Sequence, residues 1–183
     1  MIPERVKEAK EILQKLCKKA FISGSFLYAE NYNDIDIYIL SKRRKQYHKG
    51  NKHFICITES DLKKPIFHSS AKYSVSNFFI EEKTPNIERP MFNDLVVTYE
   101  LAINEILDTD DQKEVRTILF EYEMQINGEI PDSYSLFKKF DEIKKLEKNK
   151  RIEIMNQMTK EMLLKMYSGS YLYNVLISFL KRL

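Results

Sequence analysis

Isoleucine occupies every second position between residues 34 and 40, and this alternation constrains the fold more than any other part of the chain. The segment reads Asp-Ile-Asp-Ile-Tyr-Ile-Leu. Successive side chains of a β-strand point to opposite faces. Asp34 and Asp36 therefore share one face, and the three isoleucines point toward a core on the other. We predict a strand over 34–40 that carries two neighbouring carboxylates at its start.

This acidic pair predicts a metal site. Carboxylates at the mouth of an apolar strand are costly to bury unless a cation accompanies them. A hard cation such as Mg²⁺ takes carboxylate ligands and completes its shell with phosphate oxygens. Upstream of the pair, Gly24 and Ser25 follow an apolar segment at 20–22, which reads as an antiparallel partner strand that enters a turn.

A Gly-Ser turn followed by Asp-x-Asp on the next strand resembles the signature of the DNA polymerase β-type nucleotidyltransferases. The matching residues are Gly24, Ser25, Asp34 and Asp36, in the first third of the chain. The resemblance implies a mixed sheet with flanking helices and transfer of a nucleotide from an NTP with Mg²⁺ or Mn²⁺. Asp34 and Asp36 would be the catalytic, metal-binding carboxylates. Gly24, which lacks a Cβ, and the Ser25 hydroxyl would receive the phosphates.

The family usually has a third acid on the third strand, beside the first two. The predicted third strand, 53–58, contains none. Glu59 lies just past its end and is our candidate for the third metal ligand, with Glu81 and Glu82 as alternatives. His53, whose pKa is tunable, is a candidate base in place of the acid. A protein that binds nucleotide and metal but turns over poorly is the remaining explanation.

The densest basic run directly follows the acidic strand and contains Lys42 and Arg43. We expect these two residues near one end of the site, where they would attract a triphosphate or an RNA backbone. The other interpretation is a solvated loop without a ligand.

The chain divides into two parts by pattern. Pro85 and Pro90 punctuate a linker, so we predict a nucleotidyltransferase-like domain at 1–88 and a helical domain at 89–183. In the second part, apolar residues recur at helical spacing. The predicted helices are 93–107, 112–126, 134–148, 151–167 and 171–183. The fold class is therefore α+β, a mixed sheet with flanking helices followed by a helical bundle.

Composition sets limits on the partners. Of the 183 residues, 43% are apolar and 31% charged, which is typical of a globular protein. The net charge of +3 is too small to indicate nucleic-acid binding by itself. No apolar run reaches the ~18–20 residues that cross a bilayer, and the N-terminus is charged, unlike a signal peptide. We expect a cytoplasmic protein with no membrane contact.

The leading functional prediction is a metal-dependent nucleotidyltransferase that acts on RNA, a protein hydroxyl or a small molecule. Its small size and helical tail also resemble the toxin–antitoxin and phage-defence nucleotidyltransferases, a likeness at the level of fold only. Two alternatives stay open: a catalytically degenerate binding or regulatory protein, antitoxin-like or a scaffold, and an RNA-binding module. The apolar last helix, 171–183, is predicted to be a dimer or partner surface.

Overall fold

The computed structural model describes residues 1–80, 85–108 and 113–181. The chain forms two compact units. One comprises Met1–Asn86 with Asp132–Ser135, and the other comprises Ile87–Pro131 with Leu136–Leu183. The single boundary predicted between 88 and 89 does not anticipate that a short later segment belongs to the first unit.

The first unit contains a mixed sheet. Among the described residues the sheet has five strands in the order β3-β4-β2-β1-β5. Their bounds are β1 Ala20–Ser23, β2 Ile35–Leu40, β3 Lys45–Lys49, β4 Lys52–Ile57 and β5 Val75–Ser76. β1 is antiparallel to β2, as predicted, whereas β4 runs parallel to β2. The predicted α+β class with a mixed sheet is thereby confirmed.

Two of the strands differ from the sequence prediction. The segment 41–52, predicted as a connection, contains β3, which forms an antiparallel hairpin with β4 around Gly50 at a φ of 61°. Every residue of β3 is exposed, so the strand has no buried apolar face and no alternation that would reveal it. The predicted fourth strand, 73–80, pairs only over Val75–Ser76.

A helix covers each face of the sheet. On one face, α1 (Pro3–Gln14) packs against the isoleucines of β2, which are at most 4% exposed. On the other face, Tyr38 and Ile55 pack near α2 (Pro65–Lys72). The two sides of the alternation in β2 thus meet different cores, and Asp36 lies on the Tyr38 side. This confirms the predicted orientation of the acidic strand.

The second unit is helical. Its helices are α3 Phe92–Asp108, α4 Lys113–Tyr122, α5 Ser133–Lys144, α6 Lys148–Tyr167 and α7 Tyr173–Leu180. The first residues of one of them, α5, belong to the first unit. A π-helical turn, Glu123–Asn127, continues α4. Met155 and Met162 of α6 are fully buried in the core of this unit. The methionines of α6 are therefore core-filling residues, a role suited to their flexible side chains.

The last helix contributes to this core. Phe179 of α7 is 4% exposed and contacts the rings of Phe92 and Tyr99 edge-on. Part of the apolar surface that was predicted to bind a partner is therefore buried in the core of this unit. Binding of a partner by the rest of this surface stays a prediction. The side chain of Leu176 and residue Leu183, which belong to the same predicted surface, lie outside the described residues.

Among the helices of the described residues, none combines the length and the apolar character that crossing a bilayer requires.

Candidate functional site

A row of polar side chains crosses four strands at one end of the sheet. The register pairs Ser23 of β1 with Asp36 of β2, Asp36 with His53 of β4, and His53 with His48 of β3. Paired residues on adjacent strands present their side chains to the same face. We call these four residues, Ser23, Asp36, His53 and His48, the polar row. Its apolar neighbours on the same face are covered by α2, so the row marks the edge of that core.

Gly24 stands directly against the carboxylate of this row. Its backbone has φ 91° and ψ −172°, a region that is essentially restricted to glycine. A Cβ at this position would lie 3.0 Å from Asp36 Oδ2. Ser25 then begins a short 3₁₀ turn, Ser25–Leu27. The structure therefore brings the predicted Gly-Ser turn and the second predicted aspartate into contact, and a Cβ on residue 24 would require the Asp36 carboxylate to shift by a few tenths of an ångström.

Asp36 is in an unfavourable electrostatic position. Burial raises the pKa of its carboxyl, and the negative charge of Asp34 raises it further. The hydrogen bond and the charge of His53 act in the opposite direction, with a smaller contribution from His48. The two predicted aspartates are thus close enough to repel each other, and a cation placed beside them would relieve that repulsion.

The two histidines of the polar row were only partly anticipated. His53 Nδ1 lies 3.0 Å from Asp36 Oδ1. The rings of His48 and His53 are stacked, with centroids 4.2 Å apart and planes 4° from parallel. The sequence suggested His53 only as a base and did not place His48 among the ligands. The sequence signal is the Gly50-Asn51 turn, which folds His48 back onto His53 across the hairpin.

The structure separates Glu59 from the acidic pair. β4 runs parallel to β2, with Asp36 opposite His53 at one end and Leu40 opposite Ile57 at the other. Glu59 follows the far end of β4, and the four residues from His53 to Ile57 already span roughly 13 Å at ~3.3 Å per residue. The expectation that Glu59 is the third ligand is therefore wrong. Glu81 and Glu82, the alternatives, lie outside the described residues.

Lys42 and Arg43 are also at the far end of the sheet. They follow the carboxyl end of β2, whereas Asp34 and Asp36 mark its beginning. The expectation that these basic residues lie beside the aspartates is wrong for the same reason. They line a basic cleft, which we define by its side chains: Lys18, Lys19, Ser41, Lys42, Arg43, Thr58, Glu59 and Ser60.

Next to this cleft, the buried carboxylate of Asp61 pairs with the exposed guanidinium of Arg44. Asp61 is fully buried and accepts hydrogen bonds from Arg44 at 2.9 and 2.5 Å. It also accepts from the backbone N–H and the hydroxyl of Thr58. These donors, Arg44 first, hold the pKa of the Asp61 carboxyl well below its usual range. The basic run is therefore anchored at Arg44 rather than loose along its whole length.

Three tyrosines flank the Ser23 end of the polar row. Ser23 Oγ donates to the backbone carbonyl of Tyr73 at 3.2 Å. The Tyr73 ring stacks on Tyr134 with centroids 4.8 Å apart, and Tyr28 contacts both rings. The sequence does not reveal this group because Tyr134 comes from the short segment that returns to the first unit. These rings form an aromatic wall beside the Gly-Ser turn.

The donor atoms at this end of the sheet fit a divalent cation. Within the described part of the chain, one set of three metal-binding side chains comes together: donor atoms of Asp34, His48 and His53 all lie within 4.8 Å of one another. Asp36 adds a second carboxylate. Carboxylate oxygens suit Mg²⁺ and Mn²⁺, whereas imidazole nitrogens suit ions such as Zn²⁺, Cu²⁺ and Ni²⁺.

Comparisons with protein-family models, with curated proteins and with solved structures found no match to this chain. The function is therefore inferred from the geometry of these residues and from the resemblance of the Gly-Ser and Asp-x-Asp motifs.

Proposed function

We propose that the chain is a metal-dependent nucleotidyltransferase of the DNA polymerase β type, with its nucleotide site at the polar row. One observation carries the proposal: Gly24 approaches Asp36 so closely that a Cβ would lie 3.0 Å from the carboxylate. A turn able to receive phosphates and a carboxylate able to hold a cation are then side by side. Nucleotidyl transfer requires this combination, because the cation binds phosphate oxygens and carboxylates together.

The residues have distinct roles in this proposal. Gly24 lets the triphosphate approach the backbone, and the Ser25 hydroxyl donates to a phosphate oxygen. Asp34 would hold the cation beside Asp36, and the bound cation would neutralise charge on the phosphates. His53 occupies the position on the third strand where the family has its third acid, and it hydrogen-bonds Asp36.

The aromatic wall supplies a place for the base. Nucleobases stack on tyrosine rings without strong sequence preference. Tyr73 and Tyr134 are half-buried and lie beside Ser23, the residue that precedes Gly24. A base stacked there would leave its phosphates near the Gly-Ser turn.

The test is transfer of a radiolabelled nucleotide. The protein is incubated with each α-phosphate-labelled NTP, Mg²⁺ or Mn²⁺, and either mixed tRNA or no added acceptor, so that self-modification is also detected. We expect label in acid-precipitable material, and its loss in Asp36→Ala. Glu11→Ala is the matched control, an acid-to-alanine change at an exposed position of α1, the helix that covers the opposite face of the sheet, and it should keep activity. Transfer that persists in Asp36→Ala would contradict the proposal.

The absence of a third carboxylate beside Asp36 among the described residues favours a second candidate, a degenerate nucleotide-binding regulator. In the described residues, the strand next to Asp36 presents His53 where the family has its acid. Such a protein binds NTP and metal but transfers nothing. Equilibrium dialysis with labelled NTP separates the two candidates: binding that Asp36→Ala abolishes, without incorporation into any acceptor, identifies the regulator.

The basic cleft favours an anionic acceptor. For Lys18, Lys19, Lys42 and Arg43, none of the ion pairs found within the described residues satisfies the side-chain charge. The cleft begins where β2 and β4 end, roughly 13 Å along the strands from the polar row at ~3.3 Å per residue, so a bound RNA backbone would have to span that distance. RNA is therefore the acceptor, or the bound ligand, that the charge distribution supports best.

A further inference from the structure

We propose that the polar row holds a transition-metal ion such as Zn²⁺, with Asp34, His48 and His53 as ligands and Asp36 as the carboxylate that orients His53. The site is the one to which nucleotidyl transfer is assigned above. It is tested by metal binding alone, so the two proposals can fail separately. What distinguishes it from the family's site is its nitrogen donors.

The sheet itself aligns the donors. His48 and His53 are direct cross-strand partners, and Asp36 is the partner of His53 on the other side. Backbone pairing fixes these three side chains on one face, in neighbouring positions. Asp34 precedes β2 at the same end. The sheet therefore holds the backbone of these residues in place, and binding an ion requires rotation of side chains rather than movement of strands.

The hydrogen bond between His53 and Asp36 prepares the histidine for a metal. A metal-binding histidine commonly donates its other ring N–H to a carboxylate, which fixes the tautomer and strengthens the ligand. His53 Nδ1 lies 3.0 Å from Asp36 Oδ1, at hydrogen-bond distance. With the proton on Nδ1, the neutral ring carries its lone pair on Nε2. His53 is thus in the arrangement of a histidine ligand with a supporting carboxylate.

The spacing of the donors is close to that of a metal shell. One donor atom from each of Asp34, His48 and His53 falls within 4.8 Å of the others. Ligands of a tetrahedral Zn²⁺ with bonds of ~2.1 Å lie about 3.4 Å apart. The rings of His48 and His53 are stacked nearly parallel, so their in-plane lone pairs do not meet at one point in this arrangement. His48 is on an exposed edge strand, and a rotation of its ring out of the stack would direct a nitrogen toward the ion.

The chemistry of these donors selects the ion. Two imidazoles and one carboxylate form a set that binds Zn²⁺ in catalytic sites and leaves a position for water or substrate. Mg²⁺ prefers oxygen ligands in an octahedron and binds imidazole poorly. We therefore expect Zn²⁺ to bind far more tightly than Mg²⁺.

The experiment is a metal titration of the chelator-treated protein without nucleotide. Zn²⁺ binding is measured by calorimetry, and Co²⁺ is used as a spectroscopic probe because its visible absorption reports the ligand geometry. We expect one ion per chain and no displacement by a large excess of Mg²⁺. His48→Ala should weaken Zn²⁺ binding by about 100-fold and Asp36→Asn by about 10–100-fold.

The matched control is Gln46→Ala. Gln46 is on the same exposed strand and, two residues from His48, on the same face, so its loss leaves the ligands in place. Circular dichroism verifies that each variant is folded. The inference is overturned if Zn²⁺ does not bind, if His48→Ala binds as tightly as the unmodified chain, or if Gln46→Ala weakens binding equally. Zn²⁺ binding without nucleotide transfer would support this inference and remove the enzymatic proposal.

Discussion

Gly24→Ala tests the contact on which the site depends. The substitution imposes two costs that follow from separate features of the structure. A non-glycine residue at φ 91° and ψ −172° is strained, and the new Cβ would lie 3.0 Å from Asp36 Oδ2. Backbone strain of this kind costs about 1–3 kcal/mol. Displacing the Asp36 carboxylate by a few tenths of an ångström adds a smaller cost of up to about 1 kcal/mol, so the free energy of unfolding should fall by about 1–4 kcal/mol.

Urea denaturation of metal-free protein, followed by circular dichroism, measures this loss. Gly50→Ala is the matched control in the same unit, since Gly50 has φ 61° but a Cβ added there would meet no atom within 4 Å. It should lose only the cost of a left-handed backbone, about 1–2 kcal/mol.

A second background isolates the steric part. In Asp36→Ala protein the carboxylate that Gly24 faces is gone, so Gly24→Ala should cost only its backbone strain, about 1–3 kcal/mol. The difference between the two backgrounds is the coupling energy between residues 24 and 36. An equal cost in both backgrounds would refute the reasoning that Gly24 is needed because Asp36 lies against it.

Three further predictions concern charge. Asp36→Asn should raise the free energy of unfolding near neutral pH, because burial raises the pKa of this carboxyl and the folded state disfavours its charged form. Urea titrations at several pH values should show that this gain vanishes below the ordinary carboxyl pKa. Asp61→Asn should lower the free energy of unfolding by about 1.5–3 kcal/mol near neutral pH, because the folded state lowers the pKa of Asp61 and so favours its charged form. The loss should shrink as acid protonates Asp61 in the original chain, and a loss that is independent of pH would contradict the assigned ion pair. Changing both Lys42 and Arg43 to Glu should weaken RNA binding and flatten its salt dependence without changing NTP binding, because the basic cleft and the polar row are at opposite ends of the sheet. Filter binding measures both affinities, and an equal loss of NTP binding would contradict this prediction.

The acidic strand could be predicted from sequence because its pattern reflects burial directly. Isoleucines alternate with polar residues in β2, and the two faces of that strand meet two different surroundings. The same applies to α6, whose methionines recur at helical spacing and fill a core. In these segments local pattern and tertiary packing agree, so the pattern is sufficient.

The third ligand could not be predicted because it depends on strand direction. Alternation identifies a strand but does not reveal whether it runs parallel or antiparallel to its neighbour. β3 is exposed on all its residues, so the sequence pattern hides one chain reversal between β2 and β4. Without that reversal, the end of β4 that carries Glu59 would lie beside the aspartates. With it, the end that carries His53 does.

The two histidines became neighbours for the same reason. Their pairing requires the hairpin around Gly50, and only the turn residues Gly50-Asn51 indicate that hairpin in the sequence. The contact between Gly24 and Asp36 is different again, since it joins a turn to a strand through the register of β1 and β2. The sequence resemblance anticipates their proximity, whereas the distance comes from the structure.

The most direct test of the central claim is a crystal of the protein grown with a non-hydrolysable NTP and Mn²⁺, with anomalous scattering recorded to locate the metal. We predict a Mn²⁺ peak bonded to the Asp34 carboxylate beside Asp36, and triphosphate density against the Gly24–Ser25 turn. Nucleotide density at the basic cleft alone, or saturating nucleotide and Mn²⁺ with neither bound at the polar row, would contradict the account.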